Sequence, residues 1–560
     1  MRTNNYIILA LSIFLIAGCG DLDRFPLDSP SDATFFSSEA ELNFAVNGVY
    51  NNLWWHTSGH SALPELDNTT DIGFLRDGNI RDLANGSTTS TSAGIEAFWT
   101  VLYRGVARAN NLLTNMQKAK DVVSEERFLQ IEAEAKFLRA YYYHHLLELY
   151  GDVPLLETQP TLAESQISKS PKSQVADFII SDLSFASDVL PVTWAGREAG
   201  RATKGAALTL MARVALYNKN YDVAIEASQA VMDLNAYSLY DDYEELFQYE
   251  GIRCSEVIFD LPYLQGIVVH GYPQRAGSRM VGSFSAIVPS QFMVDSYLAS
   301  DGKPIDKSEV YDPAEPFKNR DPRLAASLVI PQSVLAGFVF ETHPDSNRTW
   351  RVEDGVKIER VTNLDVTNPF ATFTGYLWRK YSSPIDYPLR NRASELNFIL
   401  MRYAEVLLTY AEAKIENNDI DQSVVDALNK VRARAYGADF TDTGSYPEVA
   451  LTGQEELRRI LRNERKVELA DEGFRLYDIR RWEIADVVMD GPLVGRPVRS
   501  YQEIPAPPVI DEETGHPMYG ETLPLYRQVI QRTFRARDWL YPIPQSEINV
   551  NRSIIQNTGY

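Results

Sequence analysis

Cysteine is nearly absent. Cys19 and Cys254 are the two thiols in 560 residues, and with Cys19 read below as a modified residue, Cys254 has no partner in the chain. That excludes a disulfide framework and leaves Cys254 as a small buried core residue. Positive charge is scarce: 54 Lys and Arg face 76 Asp and Glu, a net charge of −22. Such a surface lacks the basic patch that nucleic-acid phosphates require and gains nothing from anionic lipid. Long hydrophobic runs are missing too. The apolar stretch at 6–17 is about a dozen residues, whereas a spanning helix needs roughly 20. Catalytic signatures are also absent. There is no His-Glu-x-x-His, P-loop or Cys-x-x-Cys, and Gly282-Ser283-Phe284-Ser285-Ala286 only approaches a Gly-x-Ser-x-Gly elbow. His144 and His145 are adjacent, so on a helix they point about 100° apart and cannot share a metal. No cofactor is expected. Loop aspartates alone speak for a structural calcium, without an Asp-x-Asp-x-Asp-Gly loop to hold it.

What is present begins at the N-terminus. Arg2, a short apolar core and Leu15-Ile16-Ala17-Gly18 before Cys19 make a secretory signal peptide at 1–18. A cysteine at that point looks like a bacterial lipoprotein box, with cleavage before Cys19 and lipid on its thiol. Loss of Arg2 leaves the mature body at −23. Residues 19–38 are polar and read as a flexible leader; Asp21 and Asp23 resemble the acidic signals of outward-facing lipoproteins.

The body, 39–560, alternates between two kinds of sequence. Ser38 caps an amphipathic run to Leu53. Helical periodicity returns at 97–150, where Gly151-Asp152-Val153-Pro154 stops it. It recurs at 174–234, whose alanine-rich helical pair at 203–234 looks like a tetratricopeptide repeat, and again at 396–435 and 454–487. Between these pairs lie two irregular regions near 54–94 and 254–394, rich in Gly, Pro and aromatics, with a short strand at 257–261. Beyond Asp490 the chain reads as Pro-rich loop. The fold class is therefore mainly α: a helical scaffold displaying loop-rich, ligand-binding segments on a rigid frame.

Several runs together resemble the SusD/RagB family of outer-membrane nutrient-binding lipoproteins. They are Glu134-Ala135-Lys136-Phe137-Leu138-Arg139-Ala140 leading to Tyr150-Gly151-Asp152-Val153-Pro154, Gly200-Arg201-Ala202-Thr203-Lys204-Gly205, Asn319-Arg320-Asp321-Pro322-Arg323, Met401-Arg402-Tyr403-Ala404-Glu405, Asn463-Glu464-Arg465, Gly473-Phe474-Arg475, Arg480-Arg481-Trp482 and Tyr541-Pro542-Ile543-Pro544. They occur in order along essentially the whole chain. The resemblance implies a fold of about four tetratricopeptide-like helical pairs with a large irregular, loop-rich ligand-binding portion, and a non-enzymatic protein, lipid-anchored at Cys19 in the outer membrane of a Gram-negative, Bacteroidetes-type cell and facing outward. It implies that the protein binds oligosaccharide and sits as a lid over a SusC-like TonB-dependent barrel, its partner. Some members take peptides instead.

Two chemistries compete for the residues. Glu464 and Glu468, with Asp478 nearby, have the spacing of a glycosidase carboxylate pair, which would make a surface glycoside hydrolase of helical type. Arg462, Arg465, Lys466 and Arg475 crowd them, however, and neighbouring cations hold carboxylates ionised, so structural ion pairing is the expectation. A third possibility is a helical scaffold that only bridges proteins. Binding sugar without cutting it needs flat ring faces plus hydrogen-bonding groups. The candidates are Phe74, Arg76, Asp77 and Asn79 in the first irregular region, and Tyr272, Arg275, Phe284, Trp350 and Trp378 in the second; the plain alternative for each is loop packing. Trp54, Trp55, Trp99, Tyr103 and Trp482 are read as structural.

Overall fold

The computed structural model describes residues 35–55, 60–161, 164–387 and 392–560. Cys19, the signal peptide at 1–18 and the leader up to residue 34 lie outside the described residues. Helix α1 (Glu39–Tyr50) starts where Ser38 accepts a hydrogen bond from the Glu41 N–H. It rests on α2 (Ala93–Asn115) and α3 (Glu125–Tyr150). Helix α3 is the hub. Ser124 caps it, Glu125 and Glu126 offset its positive end, and Gly151 closes it at φ 74°. From Phe128 onward it is buried on nearly all sides, which explains why its apolar pattern is not one-sided. Its polar residues are paired: Arg139 makes two 2.8 Å bonds to Asp182, and Glu134 meets Arg127 and Arg201. Gly105 of α2 lets the two helices close, since a Cβ there would lie 2.4 Å from the Tyr142 ring.

The scaffold continues through α4 (Lys172–Val189), α5 (Lys204–Tyr217) and α6 (Tyr221–Asp233), then α7 (Tyr403–Glu416), α8 (Gln422–Ala435) and α9 (Gln454–Glu468). Each helix from α2 to α6 packs on the next, α6 packs on α7 across the intervening irregular segment, and α7 packs on both α8 and α9. The protein is mainly α, and the periodic sections of sequence are its helices.

The structure corrects the sequence reading in five places. The segment expected to be helical from 396 begins as a strand: with β1 at Gly73–Leu75, β2 at Val257–Leu261 and β3 at Ile287–Pro289, further short strands fall between 328 and 378, and the strand Phe398–Arg402 pairs antiparallel with β2 before α7 starts. The helix expected at 472–487 is interrupted, with α10 (Arg475–Arg481) followed by a short turn of helix at Ala485–Val488. The stretch beyond Asp490 contains a strand pair, Gly491–Pro497 with Tyr526–Arg532. Cys254 is half-buried rather than in the core. The irregular region at 54–94 is no loose loop either: helix Ala62–Asn68 is buried at every residue, and β1 pairs antiparallel with β3, Phe74 opposite Val288. That pairing joins the two irregular regions into one surface.

Candidate functional site

Glu464 and Glu468 are sealed inside the protein. The Glu468 carboxylate accepts hydrogen bonds from Arg323 at 2.9 Å, Arg402 at 2.7 Å and Arg434 at 2.5 Å. Glu464 is held by Arg323 at 2.7 Å and Arg432 at 2.9 Å, and Asp478 by Arg465 and Arg481. Burial pushes the Glu468 carboxyl up, but the three guanidiniums outweigh it and hold the group well below the usual carboxylate range. A general acid needs the opposite shift, and no sugar reaches a carboxylate at zero exposure. The ion-pair reading holds, and these residues are no catalytic pair. His144 and His145 are likewise interior; burial keeps both neutral, His145 down to about 3. Among the described residues no group of three or more His, Cys, Asp or Glu is placed to hold a metal ion.

The sugar-binding candidates divide by burial. Tyr272, Trp378 and Phe74 are core residues here, which corrects their expected display. The Tyr272 hydroxyl donates to Asp471. Trp378 Nε1 donates to Asn68 at 2.8 Å, and Phe74 packs with Val288, Phe292 and Leu377. The physical reasons are tertiary: Phe74 lies opposite Val288 in the β1–β3 pair, Trp378 is on a strand paired with Leu328–Val329, and Tyr272 opens the buried end of a short helix at Tyr272–Ala276. Trp55, Trp99 and Trp482 are buried as expected, and Tyr103 and Trp54 are half-buried.

Arg76, Asp77, Arg275 and Phe284 do come together. Arg76 Nη1 donates to the Phe284 carbonyl at 2.7 Å and to the Phe370 carbonyl at 2.8 Å, clamping two distant loops. Asp77 receives Arg275 at 2.6 Å and Arg76 at 3.3 Å. The rings thus held are open to solvent, Phe284 at 41% and Phe370 at 57% exposure, and the Arg76 guanidinium lies 5.5 Å from the Phe370 centroid. Asn79 is exposed on the loop that follows Asp77. Trp350 stands apart, half-buried on the strand Arg348–Glu353 with Arg360 stacked 5.6 Å over it.

Phe370 and Phe373 were not singled out from the sequence. The available signal was the Asn368-Pro369 dipeptide, which marks a turn. Phe373 lies under the Arg527 guanidinium at 5.4 Å and stacks on Phe74. Beside them opens a cavity of about 300 Å³, walled by Asn368, Thr372, Arg496 and Arg527. A second cavity of about 310 Å³ lies against α9, with Arg462, Lys466 and Trp482 in its wall. It offers no open ring face: Trp482 is buried, and the Arg462 and Arg481 guanidiniums lie over it at 5.2 Å and 4.9 Å. Burial, then the Arg475 charge, pushes the Lys466 ammonium down to about 7. Stacking plus hydrogen bonding therefore favours the first surface.

Comparison with known proteins shows what the whole chain is similar to. A family model described as the SusD family matches residues 255–560, and one described as starch-binding, associating with the outer membrane, matches residues 23–216. The SusD-like protein P2 of Formosa agariphila is 30% identical over 498 residues, 86% of this chain and 91% of that one. A SusD-like protein of Bacteroides ovatus is 24% identical over 506 residues, 85% of this chain and 82% of that one. A crystal structure of a SusD-like carbohydrate binding protein from Bacteroides fragilis superposes with a TM-score of 0.78 at 28% identity, covering 93% of this chain and 99% of that one.

Proposed function

The chain belongs to the SusD family, and from that premise we propose that it is a cell-surface glycan-binding lipoprotein which captures oligosaccharide and hands it to a TonB-dependent barrel in the outer membrane. The observation that carries the reading is the pair of exposed rings, Phe284 and Phe370, fixed in place by one guanidinium, Arg76. Ring faces take the apolar C–H side of a sugar. Arg76, Asp77, Asn79 and Asn368 supply donors and acceptors for its hydroxyls. Because the Arg76 clamp sets the rings before ligand arrives, little ordering cost remains for binding. The carbohydrate-binding description of the Bacteroides fragilis relative supports this reading.

Anchoring through lipid on Cys19, an outward-facing body and a lid-like partnership with a SusC-like barrel complete the proposal. No helix among the described residues is long and apolar enough to cross a membrane, so attachment through the N-terminal cysteine is consistent with the body's architecture. Calorimetric titration of the purified chain against a panel of glycans tests the binding step. Binding of at least one glycan, weakened about tenfold or more, some 1.4 kcal/mol, in the F284A/F370A double variant, is the expected result. Tight binding of a peptide with failure of every glycan would move the reading to the peptide-binding members.

A further inference from the structure

The cavity beside Phe370 has an unusual electrostatic wall. Arg496 forms its buried side, 4% exposed, and Arg527 its exposed rim. Arg496 donates through Nη2 to the Arg499 carbonyl at 2.7 Å, and its Nε is buried without a partner. Among the described residues Arg527 donates one hydrogen bond, to the Thr372 carbonyl at 3.5 Å, and lies over the Phe373 ring. Among the described residues neither guanidinium has a carboxylate within ion-pair distance, although acids outnumber bases by 22 in the chain. Elsewhere the buried arginines Arg139, Arg213, Arg323, Arg402 and Arg475 are each matched to a carboxylate, whereas buried Arg320 and Arg532 are each held by two or more backbone carbonyls. Burial and then the neighbouring Arg496 charge both press the Arg527 guanidinium downward. The acid in the same wall, Asp365, does not relieve this. Its carboxylate is taken by the Ser278 hydroxyl and the Arg279 N–H.

Resting on the glycan-binding reading above, we propose that the Arg496–Arg527 cavity selects glycans bearing an anionic substituent, a sulfate ester or a uronate carboxylate, whose oxygens enter between the two guanidiniums. Two cations in one cavity wall repel until an anion joins them, when each guanidinium can make a charge-assisted, fork-shaped contact to it. Phe370 lies on the same loop as the cavity residues Asn368 and Thr372, so a sugar stacked on that ring carries its substituent towards the arginines. A neutral glycan supplies hydroxyls only and leaves both charges uncompensated.

The test is calorimetric titration of the full mature chain with matched ligands: a sulfated carrageenan oligosaccharide and its desulfated form, and oligogalacturonate and its methyl ester. The charged member of at least one pair is expected to bind about tenfold tighter or more, a margin that shrinks as salt rises. Which pair shows the margin identifies sulfate or carboxylate. R527Q, a surface substitution, is expected to collapse the ratio towards one, and R527K to retain part of it. Equal binding of charged and neutral partners, or a preference that survives R527Q, would overturn the inference while leaving the glycan reading standing. Failure of every glycan, charged or neutral, would overturn both.

Discussion

Arg402 grips Glu468 twice. One Nη donates to the side-chain carboxylate at 2.7 Å and the other to the backbone carbonyl of the same residue at 2.9 Å. The guanidinium also holds Glu256 and Glu472, at 2.7 Å and 2.6 Å. The residue at the end of strand Phe398–Arg402 therefore ties the last turn of α9 to the segment before β2.

Neutralising the centre of that knot should cost stability and not function. Glu468→Gln removes the charge that Arg323, Arg402 and Arg434 share. Breaking a buried pair by removing one partner costs about 3–5 kcal/mol. Urea unfolding should show a loss of that order, and neither wild type nor variant should release reducing sugar from any glycan. Sugar release by the wild type that Glu468→Gln abolishes without unfolding would restore the hydrolase.

Displayed and buried aromatics should respond differently. Phe370→Ala removes an exposed ring, so affinity should fall by up to about tenfold while the unfolding midpoint stays put. Tyr272→Phe strips the hydroxyl that donates to Asp471, leaving a buried acceptor short of a partner at a cost of about 1–3 kcal/mol. Here the unfolding midpoint should fall and glycan affinity of the folded protein should not change. The reverse pattern would place the ligand inside rather than on the surface.

Lys466 should make the protein more stable as pH rises. Its ammonium is pushed down to about 7 in the folded state, against about 10.4 when unfolded. Between those values the unfolded chain binds the extra proton, so stability increases with pH. From pH 7 to pH 9.5 this one group should add about 2–3 kcal/mol. Lys466→Met should flatten that rise in paired denaturation curves at the two pH values; an unchanged slope would show that Lys466 is charged in the fold.

Cys19 is expected to carry the anchor. Labelled palmitate fed to cells should appear on the wild-type protein, and Cys19→Ala should abolish the label and release the body from the membrane fraction. Label on Cys19→Ala, or none on either protein, would remove the tether from the proposal.

The helices were legible because their boundaries are local events. The run at 125–150 is bounded by a serine whose side chain caps it and by a glycine at positive φ, both visible in the sequence. The segment Phe398–Arg402 was misread because all five residues are buried; with both faces covered, neither a two-residue nor a 3.6-residue period shows. The ligand surface was half legible. Arg76, Asp77, Arg275 and Phe284 stood out as charged and aromatic residues among glycines, whereas Phe370 and the Arg496–Arg527 pair gave no pattern that a linear reading could join.

The sequence by itself determined the helical scaffold, because caps, periodicity and stop signals act within a few residues of one another. Tertiary structure alone decided which rings face water and which arginines lack a counter-charge. Arg76 and the Phe284 carbonyl it clamps are 208 residues apart, and burial and ion pairing are properties of the partner brought up by the fold, not of the residue that the chain spells out.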